Sequence, residues 1–372
     1  MKKLIIATDS FLPRWDGIAR FLSELIPRLK DEYKITVICP DFGDISIENV
    51  EIIKVPLFKF KIGDYTPAKF KPGLIKKKIK EADIIFTQTI GPIGILAIWY
   101  GKKYKKNVIS YIHSLEWDLV TKSAALKGFK EFFVYNLIKF IAWFFYNRCT
   151  LLVVPSPEIV EILSWLKIKT NKTIINMGID TNKFIPTKDK KESKKKVNID
   201  PEKKVIGFIG RLGKEKDPKT LYRAFIRLKK KYNILLLIVG SGIKELEELF
   251  RNKENIIFIG STNNVVDYLQ AMDIYVLPSL TETSSLSTME AMSCQLAVIT
   301  TQVGYIKEYI KENVNGFFFN RQSSYQLVKK IEILLEDENL RNKLSINARK
   351  TITERFSFDK TVEKIKKVLE MY

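Results

Sequence analysis

Twice along this chain, short apolar runs alternate with amphipathic stretches, and that rhythm limits the fold more than any other feature. In the first half the candidate strands are "KLIIATD", "YKITVICP", "VEIIKV", "ADIIFTQ", "NVISYIH" and "CTLLVVPS". After residue 185 the pattern restarts with "KVIGFIG", "YNILLLIVG", "NIIFIG", "DIYVLPS" and "LAVITT". Most of these runs are continuously apolar, with no two-residue alternation, as expected of strands covered on both faces. Helical stretches such as "IARFLSELIPRLK" and "GILAIWYGKKY" lie between them. Alternation of this kind implies parallel sheets in doubly wound α/β layers. Two series imply two Rossmann-like domains, with ligands at the carboxyl ends of the strands. The length of 372 residues agrees, being too long for one ordinary core.

The expected division is residues 1–185 for the first domain, 186–356 for the second and 357–372 for a C-terminal helix. The boundary is placed by "TKDKKESKKK", residues 187–196, read as a solvated surface helix or loop. "MKKLIIATD" begins like a signal peptide, but Asp9 interrupts the apolar stretch too early, so it reads as a first buried strand. Cys39, Cys149 and Cys294 lie far apart and form neither a metal-ligand spacing nor a disulfide framework, which favours a reducing cytoplasm.

The formal charge is +21. Residues 1–185 hold 29 Lys/Arg and 18 Asp/Glu, a net of +11, so the excess is shared by both halves and is not a basic tail. Such a balance suits anionic ligands, anionic membranes or nucleic acid, and lysine-rich composition alone can produce it. Two segments of the first half stand out. Residues 54–80 carry nine lysines against one aspartate, interleaved with aromatics. Residues 129–148, "FKEFFVYNLIKFIAWFFYNR", read as a very aromatic helix, too short and too interrupted by charge to span a bilayer. A buried core helix and a helix lying in a membrane interface both stay open.

The residues able to do chemistry cluster after strands. "TETSSLSTMEAM", residues 281–292, sets Glu282 and Glu290 eight positions apart around a run of hydroxyls, where an apolar strand gives way to a helix. Ser287 with Glu290 fits a capping box; alternatively, a ligand sits over the amides of the helix start. "FIGRLGKEKD" places Arg211 and Lys216 in the loop after a strand, close enough to converge on one oxyanion pair, or to be ordinary surface cations. "VGSGIKE" has Gly240 and Gly242 but lacks the third glycine of a dinucleotide motif. The sole histidine, His113, ends a strand, and Gly17 stands between the first strand and its helix, where a glycine admits close approach of a ligand. No phosphate-binding P-loop, Asp-x-Asp pair or zinc-ligand spacing is present, so no metal is expected. No RNA-recognition motif, zinc finger or helix-turn-helix signal supports nucleic-acid binding.

Taken in order, these pieces resemble the retaining glycosyltransferases of family 4, over effectively the whole length. "PSLTETSSLSTMEAM" carries that family's Glu-x7-Glu spacing at Glu282 and Glu290, "GRLGKEKD" its Gly-Arg/Lys segment and "NMGIDTNKF" its hinge-side pattern. Many members have Gly-Phe-Gly where this chain has Thr283-Ser284-Ser285, and two glycines where it has Gly304 alone. The resemblance implies the GT-B fold, two facing Rossmann-like domains with the C-terminal helix crossing back to the first. It implies transfer of a hexose from a nucleoside diphosphate sugar with retention of configuration, and no separate cofactor. By the same resemblance Arg211 and Lys216 grip the donor diphosphate, Glu290 binds the ribose hydroxyls, and Glu282 contacts the transferred sugar beside the amides of Ser284, Ser285 and Leu286. His113 touches the sugar and the developing charge, and Gly17 lines the phosphate and acceptor side. Because the resemblance makes the first domain the acceptor side, its lysine-rich residues 54–80 and aromatic helix 129–148 favour a lipid or lipid-linked glycan at an anionic membrane surface as acceptor. A soluble sugar or polysaccharide acceptor is still open, and the protein is expected to be cytoplasmic or peripheral on the cytoplasmic membrane face. A sugar-nucleotide epimerase of the same fold, and a basic nucleic-acid-binding protein, are the alternatives.

Overall fold

The computed structural model describes residues 1–14, 16–62, 65–123, 128–282 and 284–372. Gly63, Asp64 and Thr283, which belong to segments discussed above, lie outside the described residues, as does Trp15. The chain forms two compact units, Met1–Asn176 with Val362–Tyr372, and Met177–Thr361. The division falls before the lysine run, because Ile179 and Phe184 are buried in the second core.

The first unit is built on seven strands: β1 (Lys2–Ala7), β2 (Tyr33–Pro40), β3 (Glu51–Val55), β4 (Ile84–Thr87), β5 (Asn107–Tyr111), β6 (Leu151–Val154) and β7 (Lys172–Ile174). Their order is β3-β2-β1-β4-β5-β6-β7, and every neighbouring pair is parallel. The helices are α1 (Gly17–Leu29), α2 (Pro72–Glu81), α3 (Pro92–Lys103), α4 (Glu116–Ser123), α5 (Gly128–Tyr146) and α6 (Pro157–Trp165). All four residues of β4 and all four of β6 are buried, which is why their sequences lack alternation.

The second unit opens with α7 (Lys190–Lys196) and has six strands: β8 (Lys204–Ile209), β9 (Ile234–Val239), β10 (Ile256–Gly260), β11 (Ile274–Leu277), β12 (Ala297–Thr301) and β13 (Phe317–Phe319). Their order is β10-β9-β8-β11-β12-β13, again all parallel. Its helices are α8 (Pro218–Leu228), α9 (Lys244–Glu247), α10 (Val265–Ala271), α11 (Leu286–Ser293), α12 (Ile306–Tyr309), α13 (Ser324–Glu336) and α14 (Glu338–Arg355). The last helix, α15 (Phe358–Glu370), starts in the second unit and ends in the first. There Lys366 pairs with Glu32, and Asn107 Nδ2 donates to the Tyr372 carbonyl at 3.2 Å.

In each sheet the strand order reverses beside the first strand, between β1 and β4 and between β8 and β11. Chains leave in opposite directions at such a point and open a crevice at the carboxyl ends of the strands. The residues singled out above as Gly17 and His113, and as Arg211, Lys216 and Glu282, follow β1, β5, β8 and β11 in this way.

Three details amend or extend the reading of the sequence. First, the lysine run is not wholly solvated. Lys190 and Lys194, one helical turn apart on α7, turn inward. Lys194 Nζ lies 2.8 Å from Asp273 Oδ2, with both side chains almost fully buried. Lys190 Nζ donates to the carbonyls of Gln270 and Met272 at the end of α10, and burial pulls its pKa down to about 8. Second, α5 is not a buried core helix: only Ala142 and Tyr146 are fully covered. Third, Asp9 is more than an interruption. It is 4% exposed, and its carboxylate accepts from Ile93 N at 2.9 Å, Gly94 N at 3.1 Å and Thr89 Oγ1 at 2.6 Å. It thereby caps the start of α3 from another loop, since Gly91 at that cap has no side chain to do so. A Cβ on Gly91 would stand 2.4 Å from the Asp9 carboxyl carbon, so the glycine is what admits the carboxylate.

All three thiols are free and buried. Burial raises the pKa of each, to about 12 for Cys39 and Cys294.

Candidate active site

In the second unit three loops are laced together by backbone hydrogen bonds. The loop after β8 begins at Gly210, whose φ of +153° suits glycine. A Cβ on Gly240, at the end of β9, would meet the Gly210 carbonyl at 2.0 Å, so the two loops touch only because that residue has no side chain. Leu212 N donates to the Ser241 carbonyl at 3.0 Å, and Ile243 N returns a bond to the Leu212 carbonyl at 2.8 Å. The loop after β11 joins through Leu280 N, which donates to the Glu215 carbonyl at 2.7 Å. Gly240 thus has a structural part in the site that its weak motif did not disclose.

On this frame the short 3-10 turn Lys214–Lys216 presents Lys216 to Glu282. Their charged atoms are 2.5 Å apart, and the side chains are 21% and 8% exposed. Ser279 Oγ donates to the same Glu282 oxygen at 2.8 Å, and Thr301 Oγ1 holds the Ser279 carbonyl at 2.5 Å. Two positions separated by 66 residues thus form one charged pair at the mouth of the switch point. Arg211 is more exposed and lies 2.7 Å from Glu215. Each cation is therefore held by a carboxylate, in place of the single shared anion expected for the two.

The segment 284–290 forms the entrance to α11. Ser285 adopts φ +49°, the left-handed region that side chains disfavour by roughly 1–2 kcal/mol. Tyr309 Oη secures it, donating to the Ser284 carbonyl at 3.0 Å, with the Ser285 carbonyl at 3.4 Å. The helix begins at Leu286, so Ser287 is inside it and the capping box does not form. The Tyr275 hydroxyl donates to Ser287 Oγ at 2.9 Å, while Ser285 Oγ meets Thr288 Oγ1 at 2.8 Å. The first intrahelical bonds are Thr288 N and Met289 N to the Ser285 carbonyl. The amides of Leu286 and Ser287 before them are the ones a helix start offers to an anion. Ser284 Oγ is buried without a partner among the described residues, and Glu290 sits 3% exposed in the second turn. Thr283, within the departing tripeptide, is outside the described residues.

In the first unit Gly17 heads α1. A Cβ there would meet nothing within 4 Å, so the protein itself does not require glycine at this position. Asp16 caps the helix, accepting from Ile18 N and Ala19 N at 3.0 Å each, and Ser10 Oγ donates to its other oxygen. Arg14 lies 3.5 Å from Asp16, with its guanidinium over the rings of Tyr65 and Phe42. The Tyr65 hydroxyl donates to the Asp9 carbonyl at 3.0 Å.

His113 lies past the end of β5, 8% exposed and stacked on Tyr111 at 4.5 Å. Phe21 of α1, one turn beyond Gly17, meets its edge at 5.1 Å. Nε2 is 2.8 Å from Gln88 Oε1, and Nδ1 has no partner among the described residues. Burial pushes its pKa down to about 3, so the ring is neutral at physiological pH. Three residues on, burial raises the Glu116 carboxyl to about 7, although it accepts from the Tyr146 hydroxyl at 2.7 Å. Ser10, Arg14, Asp16, Tyr65 and Gln88 were not singled out from sequence. Their common signal was position, each lying in a loop or at a strand end on the carboxyl edge of the sheet.

Two doubly wound units, each with polar groups gathered at its switch point, define a nucleotide-handling α/β protein. Residues 15–183 match the family described as Glycosyltransferase Family 4, and residues 189–351 match Glycosyl transferases group 1. The chain belongs to this glycosyltransferase family. An alpha-monoglucosyldiacylglycerol synthase of Streptococcus pneumoniae is 27% identical over 329 residues, 84% of this chain and 74% of that protein. The N,N'-diacetylbacillosaminyl-diphospho-undecaprenol alpha-1,3-N-acetylgalactosaminyltransferase of Campylobacter jejuni is 27% identical over 351 residues, 89% of this chain and 90% of the relative. Among solved structures, HepE of Anabaena in complex with UDP superposes with a TM-score of 0.78 at 17% identity, covering 100% of both chains, a likeness of fold.

Proposed function

We propose that this glycosyltransferase moves a hexose from a nucleoside diphosphate sugar onto a lipid or lipid-linked acceptor, with retention of anomeric configuration and with fixed cations in place of a metal at the diphosphate. The observation that carries the reading is the Lys216–Glu282 pair on its laced loops, beside the start of α11. Arg211 and Lys216 exchange their carboxylate partners for the diphosphate, and the amides from Ser284 to Leu286 take its remaining oxygens. Glu282, released from Lys216, accepts from a sugar hydroxyl, and Glu290 accepts from the ribose. Charge develops on the leaving diphosphate in the transition state, where preorganised cations and amides act most strongly. His113 is assigned to the transferred sugar, and Gly17 to the phosphate and acceptor side. The test is a thermal-shift panel of UDP-, GDP- and ADP-sugars in EDTA. A ligand at 100 times its dissociation constant stabilises the fold by about 2.7 kcal/mol. One sugar nucleotide is expected to stand out, whereas no shift with any sugar nucleotide or free nucleotide would remove the donor site. A winning donor consumed without acceptor, by conversion of its sugar, would favour the epimerase.

The acceptor reading rests on α5. Phe129, Phe133, Leu137 and Phe140 recur at three- and four-residue spacing and are 81%, 60%, 45% and 59% exposed. Phe132, 67% exposed, adjoins them. The opposite face, with Tyr135, Ile138, Ala142 and Tyr146, packs on the first core. No helix among the described residues is long and apolar enough to cross a membrane. An apolar helix face in the unit that also carries the lysine-rich residues 54–80 suits a peripheral seat on the anionic cytoplasmic face, where each basic residue near the surface adds about 1 kcal/mol. The two relatives, one named for a monoglucosyldiacylglycerol product and the other for a diphospho-undecaprenol it acts on, agree in kind. Vesicles containing anionic lipid are expected to sediment the protein at low salt. Replacing Phe132 and Phe133 with serine should weaken that binding by about 3 kcal/mol, roughly a hundredfold, with an unchanged melting temperature. Equal sedimentation of both proteins would exclude α5 as the seat.

A further inference from the structure

We propose that Gln88 is a positioning residue that holds His113 in the tautomer bearing hydrogen on Nε2, so that Nδ1 offers a lone pair to a substrate hydroxyl. The inference deepens the function proposed above, and the hydroxyl is that of the donor sugar or the acceptor. Gln88 follows β4 and His113 follows β5, the neighbouring strand, and the two are 1% and 8% exposed. The Gln88 carbonyl oxygen lies 2.8 Å from Nε2 and can only accept, so the hydrogen belongs to the ring. Stacking on Tyr111 and the edge contact with Phe21 fix the ring plane. With Nε2 committed to Gln88 and the ring neutral, Nδ1 is an acceptor. It is buried and has no partner among the described residues. Buried polar atoms without partners are rare in native proteins, and one beside a ligand crevice is matched when the ligand binds. The amide nitrogen of Gln88 is equally without a partner among the described residues. If the amide were turned over, the tautomer would be the opposite one and Nδ1 would become a donor. The two arrangements therefore make opposite statements about which substrate group His113 can bind.

His113 is the chain's only histidine, so imidazole nitrogen NMR of 15N-histidine-labelled protein reads it alone. The expected spectrum at neutral pH is a single neutral tautomer, protonated at Nε2 and not at Nδ1. Gln88→Met, which keeps the length and removes the acceptor, should lose that selection and give a mixed or reversed tautomer. Its turnover with the identified donor should fall about tenfold, the worth of one neutral hydrogen bond. Protonation at Nδ1 in the unmodified protein would overturn the proposal. So would an unchanged Nε2–H tautomer in folded Gln88→Met. Should that variant fail to fold, Gln88→Glu decides: it should keep the Nε2–H form and raise the imidazole's titration midpoint, and an unmoved midpoint would refute the contact. The spectra need no turnover, so they stand even if the glycosyl-transfer reading itself fails in the donor panel.

Discussion

Replacing Lys216 with alanine is expected to lower turnover by about a hundred- to a thousandfold while leaving the fold in place. Losses of that size follow removal of one preorganised group aimed at developing charge. Lys216 ends a three-residue 3-10 turn, with a side chain 21% exposed, and it belongs to neither hydrophobic core. Its removal leaves Glu282 with Ser279 as a hydrogen-bond donor, so the carboxylate is not stranded. The loops stay tied through Leu280 N and the Glu215 carbonyl, which the substitution does not touch. Circular dichroism should accordingly be unchanged while kcat collapses. Glu282→Gln makes a second arm: the double variant reads the coupling of the two side chains, which are in contact in the ligand-free protein. A folded Lys216→Ala protein with near-normal turnover would take Lys216 out of the diphosphate site.

Acidification is expected to destabilise the first unit through His113. Its folded pKa is about 3, against 6.5 for an unperturbed histidine. Below pH 6.5 the unfolded chain binds a proton that the folded chain refuses. Stability is therefore fully present above 6.5 and is lost as pH falls toward 3, at about 1.36 kcal/mol per pH unit, approaching 4–5 kcal/mol in all. Glu116 works in the opposite direction. Its folded pKa of about 7 lies above the ordinary 4.5, so its contribution is present below 4.5 and lost as pH rises through 7. The net slope mixes the two, and a difference measurement separates them. Between pH 6.5 and 4, urea unfolding of His113→Gln should gain about 3 kcal/mol relative to the unmodified protein. A constant offset across that range would mean that the imidazole is not held neutral.

Most of the fold was legible because parallel strands buried on both faces spell themselves as apolar runs. Eleven of the runs quoted above coincide with β1–β6 and β8–β12. The two unforeseen strands, β7 and β13, are three residues long and close the edges of their sheets, too short to make a run. Lys190 and Lys194 were misread as solvated because what they bind, Asp273 and the end of α10, lies about 80 residues downstream and composition carries no trace of it. The capping box at Ser287 failed for a local reason. A left-handed Ser285 starts the helix two residues early and sends the Ser287 hydroxyl to Tyr275. In the candidate site, the motifs singled out Lys216 and Glu282, which the fold pairs. Gln88 and Asp9 were not, since a glutamine after a strand and an aspartate at a strand's end become informative only once neighbouring strands are set side by side.

The buried thiols have a practical consequence for spectroscopy. Cys39, Cys149 and Cys294 are each less than a tenth exposed, with burial holding them in the unreactive protonated form. A cysteine introduced by Leu137→Cys, midway along the outer face of α5, would then be the one thiol open to a maleimide dye. The depth of that dye beneath lipid headgroups could be read by quenching with no prior removal of native cysteines. The same protein preparation would serve for donor binding, turnover and bilayer depth.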